Sequence, residues 1–246
     1  MNIVTNAETP WLCLKDPKSK LVYWVHSKCA CSFYKKIFAK LNWTETTTTD
    51  IDWENDVVFS HIRDPLVKHR IGIIEWFYQH NSEKLLKDNF DNDQFFLLLS
   101  QAAYLDFHSM SIFDHLGKEK SFKIKWIPLD TDVNHVKETV ELIEQYATIA
   151  DNTKEQLLNL APYHVSTGFK KWCNEKILRI PPTPLIIKSI EYDRWLYDTV
   201  TKKNFEPANY SQQIKYLKSQ GLTQQQAEQQ ADNDVQTGNY LNWNKE

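Results

Sequence analysis

Glycine is scarce in this chain, 5 of 246 residues, and proline contributes only 9. That poverty, beside a 41% hydrophobic fraction, excludes collagen-like and low-complexity disordered chains. The four cysteines, Cys13, Cys29, Cys31 and Cys173, are too few and too scattered to staple a chain of this size with disulfides. No apolar run approaches the ~20 residues that a bilayer span requires. The longest, Phe95 to Leu105, is interrupted by Ser100 and Gln101. Met1 to Pro10 has neither the basic segment nor the apolar core of a secretory signal, so a cytoplasmic location is expected. An excess of positive charge is missing too. The formal net charge is -3, which offers no bulk attraction to nucleic acid or an anionic membrane. Neither is expected as a partner, the oligomeric state is left open, and any anion must be held by a local site.

What is present is ample apolar and aromatic material for a sizeable core, in one large domain or two small ones. Leu21–His26 is a short aromatic and β-branched run that reads as a buried strand. Ser32–Leu41 follows with Phe33, Ile37 and Leu41 at helical spacing. Val57 to Ile62 reads as a second strand, and Leu66, Ile73, Ile74, Phe77 and Tyr78 mark a long helix opened by Pro65, which suits a first helical turn. Further helices are expected at Asp93–Tyr104, Asp132–Tyr146, Thr153–Leu160, Ser166–Leu178 and Ser189–Val200, and a strand at Phe122–Ile127. Strands alternating with helices predict a three-layer α/β domain around a central parallel sheet of four or five strands, with a helix-rich C-terminal half. Residues 1–202 are assigned to that domain. Residues 203–246, rich in Gln, Asn and Lys, read as a polar helical extension packed on it or trailing from it.

Two strand–loop–helix turns carry the chemistry. In the first, His26-Ser27-Lys28-Cys29-Ala30-Cys31-Ser32 joins strand to helix through small residues. Such a loop gathers backbone N–H groups around one point, and the helix dipole adds partial positive charge, so the geometry favours a phosphate. Lys28 adds a full charge and Ser32 a hydroxyl. In the second, Ser60-His61-Ile62-Arg63-Asp64-Pro65 leads into a helix carrying Lys68 and Arg70. Arg63 at a strand end is suited to bidentate contacts with a phosphate. On successive parallel strands the two turns would lie side by side at the C-terminal edge of the sheet, where α/β proteins bind ligands. The spacing of Cys29 and Cys31 is one residue short of the usual redox pair, no second ligand pair accompanies it, and both are read as reduced thiols.

These residues resemble the sulfotransferases that use 3′-phosphoadenosine 5′-phosphosulfate (PAPS), in particular the carbohydrate-type members. Their first motif, roughly Pro-Lys-x-Ala-Cys-Thr-Ser-x-Lys, is similar to Ser27-Lys28-Cys29-Ala30-Cys31-Ser32-Phe33-Tyr34-Lys35, with Ser27 for Pro and Ser32 for Thr. Their second, Arg-Asp-Pro-x-x-Arg-x-x-Ser-Gly, is similar to Arg63-Asp64-Pro65-Leu66-Val67-Lys68-His69-Arg70-Ile71-Gly72, with Lys68 for Arg and Ile71 for the serine. Asp106-Phe107-His108-Ser109-Met110-Ser111 is similar to the family's His-x-x-x-Gln/Ser stretch, and Tyr192–Tyr197 to its Tyr-x-x-Asp-Tyr ending. The resemblance implies a P-loop-kinase-like sulfotransferase fold and transfer of a sulfuryl group from PAPS, without a metal, to a hydroxyl or amine of a small-molecule or glycan acceptor. It implies that Lys28, Cys29, Ala30, Cys31, Ser32 and Phe33 cradle the 5′-phosphosulfate, with Lys28 also catalytic. Arg63, assisted by Lys68 or Arg70, would hold the 3′-phosphate. His108 is the first choice of general base, with Glu75, His80 and Glu54 in reserve, and His61 is placed beside the nucleotide. Two alternatives stay open. One is a kinase-like phosphotransferase, although the Gly-x-x-x-x-Gly-Lys-Ser/Thr loop is absent. The other is a non-catalytic relic of the same fold, which Ile71 keeps in view.

Overall fold

The computed structural model describes residues 11–80, 83–101, 107–129, 134–160, 168–201 and 221–237, with Ile214, Leu217 and Lys218. The order is β1 (Leu12–Lys15), β2 (Leu21–Trp24), α1 (Cys31–Lys40), β3 (Thr44–Thr47), β4 (Val57–Ile62), α2 (Pro65–Gln79), α3 (Glu83–Asp88) and α4 (Asp93–Gln101). Then come α5 (Ile112–Lys123), β5 (Lys125–Pro128), α6 (His135–Glu144), α7 (Asp151–Leu158), α8 (Gly168–Leu178), α9 (Pro184–Ser189), α10 (Glu191–Thr201) and α11 (Gln224–Thr237).

The sheet has five strands in the order β3-β1-β2-β4-β5. It is mixed, which corrects the expected all-parallel sheet. β2, β4 and β5 are parallel, while β1 runs antiparallel to both β2 and β3. A parallel pair needs a long crossover, whereas the few residues between β1 and β2 allow only a hairpin-like return.

Alternation along β2 divides the core. Leu21 and Tyr23 join Phe59 and Ile127 in a cluster with Phe33, Tyr34, Ile37 and Phe38 of α1, Val136, Val140 and Ile143 of α6, and Leu157 of α7. Val22 and Trp24 join Val58 and Ile62 in another with Ile112, Phe113 and Leu116 of α5 and Trp195 and Leu196 of α10. Helices therefore cover both faces. Each large apolar side chain so buried contributes roughly 1.5–3 kcal/mol. A third cluster fastens the C-terminal half to α2, where Ile73, Ile74 and Phe77 meet Phe96 and Leu99 of α4 and Cys173 and Ile177 of α8. In the tail, Leu217 and Ala227 are buried together, and α11 packs on α10.

Several boundaries differ from expectation. Phe122 and Lys123 belong to α5, and the strand is shortened to Lys125–Pro128. Asp106, Asp132, Ser166 and the junction at 202/203 lie outside the described residues. Among the described residues no helix is long and apolar enough to cross a membrane.

Candidate functional site

The chain leaves β2 through a turn whose backbone is unusual at two positions. Lys28 has φ 60° and Ala30 φ 58°, both in the left-handed region that non-glycine residues rarely enter. Left-handed residues interleaved with ordinary ones turn successive N–H groups toward one side and form a concave nest suited to an anion. Ala30 is the N-cap of α1 and supplies no side-chain acceptor. The opening N–H groups of a helix have no intrahelical partner, so α1 adds the donors of Cys31 and Ser32 and partial positive charge to the same loop. Ser32 is exposed here and Cys31 half-exposed. Cys29 is buried, its N–H donating to the His26 carbonyl at 3.4 Å. Phe33 turns into the core, edge-on to Tyr34, and its N–H donates to the Ala30 carbonyl at 3.0 Å.

The turn after β4 lies beside it because β2 and β4 are adjacent and parallel. Arg63 reaches across, its Nη1 donating to the Lys28 carbonyl at 3.1 Å. Asp64 caps α2, accepting from Leu66 and Val67 N–H at 2.9 and 3.2 Å. Arg194 of α10 grips the same carboxylate through two contacts of 2.6 and 3.0 Å. Lys68 and Arg70 are not brought to this surface. Both are buried, Lys68 donating to the Met110 carbonyl and Arg70 to those of Leu178, at 2.9 Å, and Ile180. Residues two apart on a helix point to opposite sides, so the pair could never face one ligand together. The usual-serine position is the part-exposed Ile71.

Lys28 and His108 are joined by a chain of polar contacts along α2. The Lys28 ammonium lies 3.1 Å from Glu75 Oε2, with both side chains mostly shielded from solvent. Lys170, from the first turn of α8, pairs with the same oxygen. Glu75 Oε1 is 3.5 Å from the Gln79 amide, which donates to His108 Nε2 at 3.2 Å and so marks that nitrogen as the bare one. Burial pushes the Lys28 ammonium down, against the pull of Glu75. For Glu75, burial alone would raise the carboxyl, but Lys170 and Lys28 outweigh it and hold it at about 2. Gly72 explains how α2 comes so close: a Cβ there would lie 2.2 Å from the His108 carbonyl oxygen. Ser27 Oγ adds a contact with the Phe107 carbonyl at 3.2 Å.

Under the loop lies a pair of buried histidines. His26 stacks on Trp24 at 4.6 Å, with His115 at 6.1 Å. His115 Nε2 donates to the Phe107 carbonyl at 3.0 Å. His115 Nδ1 and Trp24 Nε1 are buried and have no hydrogen-bond partner among the described residues, and for hydrogen bonding the buried His26 ring meets only the His61 backbone. Burial, reinforced by the Lys68 charge, pushes His26 well below the usual imidazole range and His115 to about 3.

The reserve residues sit elsewhere, apart from Glu75. His61 is not beside the loop surface but fully buried, stacked 3.6 Å from Tyr34 and bonded to Thr139 at 2.9 Å. Glu54 pairs with Lys123 at 2.6 Å on the surface, and His80 stacks on Trp76. Lys170, Gln79 and Arg194 have no local sequence signal, because each acts on a partner remote in sequence or through helix geometry alone. Among the described residues no group of three or more His, Cys, Asp or Glu side chains is placed to hold a metal ion.

No family model, no curated protein and no solved structure matches this chain.

Proposed function

We propose that the protein is a PAPS-dependent sulfotransferase on a P-loop-kinase-like scaffold, acting on a hydroxyl or amine acceptor such as a glycan. The observation that carries this reading is the pairing of the two turns: a left-handed, uncapped loop with Lys28, and Arg63 bonded to its backbone from the next parallel strand. A bisphosphorylated nucleotide presents two anionic groups, and these turns offer one cationic residue to each.

PAPS supplies an activated sulfuryl group on a phosphate leaving group. The opening N–H groups of α1 and the Ser32 hydroxyl are suited to its 5′-phosphosulfate. The Lys28 ammonium would neutralise charge developing on the leaving oxygen, as fixed donors do in phosphoryl transfer. Arg63 would hold the 3′-phosphate, with no hydroxyl from position 71. His108 Nε2, whose lone pair the Gln79 amide engages here, would accept the acceptor's proton once that amide gives way. Lys68 and Arg70 serve the scaffold.

The test is calorimetric titration with adenosine 3′,5′-bisphosphate, the product of transfer, alongside ATP and AMP. Micromolar binding that is absent for AMP and falls about 100-fold in Arg63→Ala, the loss of a charge-assisted pair, supports the reading. Preference for ATP would favour a phosphotransferase. No binding of any of the three would leave a relic and end the enzyme reading.

A further inference from the structure

The Lys28–Glu75–Lys170 cluster places two ammonium groups on one oxygen of a single shielded carboxylate. One of the two cations also belongs to the anion loop. We infer that Glu75 is an internal counter-anion that occupies Lys28 until an incoming oxyanion displaces it, and that Lys170 is the positioning residue that holds the carboxylate after Lys28 leaves. This rests on the reading of the first turn as an anion site, not on the identity of the nucleotide.

The three partners differ in freedom to move. Glu75 projects from α2, and Gly72 sets that helix against the His108 backbone with no room to slide. Lys170 is held twice, by Glu75 and by the Tyr78 ring 5.0 Å below its ammonium. Lys28 has a flexible four-carbon stem and a head that redirects without moving the backbone. The exchange therefore falls to Lys28. A shielded carboxylate that loses its only partner is costly, whereas one that keeps a second cation is not. Lys170 makes the departure of Lys28 affordable. Glu75 also sets a charge threshold, since a monoanion gains no more from Lys28 than the carboxylate already supplies. The site thus selects multiply charged phosphoryl or phosphosulfate groups.

Inorganic pyrophosphate is the probe, titrated calorimetrically into the wild type, Glu75→Gln, Lys170→Met and the double variant, with adenosine 3′,5′-bisphosphate in parallel. Methionine keeps the apolar stem over Tyr78, and thermal unfolding identifies the variants that fold; Lys170→Gln replaces methionine if it does not. Glu75→Gln should bind pyrophosphate about tenfold more tightly than the wild type, and Lys170→Met about tenfold more weakly. In the Glu75→Gln background the Lys170 change should matter by less than about threefold, because there is no carboxylate left to hold. Equal effects of Lys170→Met in both backgrounds would show a direct or long-range contribution and overturn the inference, as would Glu75→Gln failing to bind pyrophosphate at all. The expected pyrophosphate cycle without preference for the bisphosphate over ATP would overturn the sulfotransferase reading and leave the counter-anion standing.

Discussion

The turns after β2 and β4 have the same outline, strand, short loop and helix, and they are closed in opposite ways. At the second, Asp64 satisfies the opening N–H groups of α2 and is itself held by Arg194. At the first, the Ala30 side chain offers α1 no cap, two residues are left-handed, and His115 Nδ1 and Trp24 Nε1 are buried nearby without a hydrogen-bond partner among the described residues. A turn with its polar groups satisfied is scaffolding, and its neighbour can then afford to be poorly satisfied. Strained backbone and unpaired donors persist only where surrounding structure enforces them, and they gather at functional sites.

The comparison would break most sharply at Lys28. Lys28→Ala should cut sulfuryl transfer by about 10³-fold, the scale for losing a charge aimed at the leaving oxygen. Urea unfolding should show a loss of only about 1 kcal/mol, since Glu75 keeps Lys170. Transfer at the wild-type rate would remove the mechanism.

Acid should separate the turns next. An unfolded chain protonates its histidines near pH 6.5, while folded His26 and His115 resist until far lower. Their contribution is complete above pH 6.5 and is lost as pH falls, by about 1.4 kcal/mol per pH unit for each. Asp193, raised by burial to about 6, acts in the opposite sense, its penalty lifting as pH falls from 6 toward 3.8. The two histidines outweigh the one carboxyl. Hydrogen exchange, corrected for intrinsic rates, should therefore accelerate on acidification at residues 28–32 before 64–67, and the acid slope should flatten in His115→Leu. An unchanged slope in that variant would contradict the assignment.

At the second turn the expected effect lies in stability. Asp64→Ala removes both the cap and the partner of Arg194, for a loss of about 1–2 kcal/mol in denaturant unfolding. The smallest change reverses the sign. Ala30→Gly should stabilise by about 0.5 kcal/mol, because glycine enters the left-handed region without a Cβ penalty, less its greater freedom when unfolded.

The elements that frame these turns are the ones the sequence makes legible. β2, β4, α1 and α2 carry strong periodicity, and a parallel β2–β4 pair necessarily sets their following turns together. β1 and β3 escape notice although each has four residues, as β2 does, because neither belongs to a continuous aromatic and β-branched run like Leu21–His26. β3 is Thr44-Glu45-Thr46-Thr47, a polar edge held by pairing with β1 rather than by burial. α5 absorbs Phe122 and Lys123, whose alternation with Ile124 mimics a strand. Around Glu75 the limit is different in kind. Lys170 is brought to the carboxylate by packing of α8 on α2, through Cys173 and Ile177, and no local pattern encodes that approach. Lys68 and Arg70 mislead because their charge is legible while their direction is set by helix phase.

The left-handed backbone of Lys28 has a further use, as a record of competing selections. A lysine in that conformation costs roughly 1–2 kcal/mol relative to a residue at ease there, and glycine would relieve it. A library enriched only for thermal resistance should therefore converge on glycine or asparagine at position 28, whereas one enriched for turnover should retain lysine. The opposed preferences of the two pools at that codon would separate what the loop does from what merely keeps it folded.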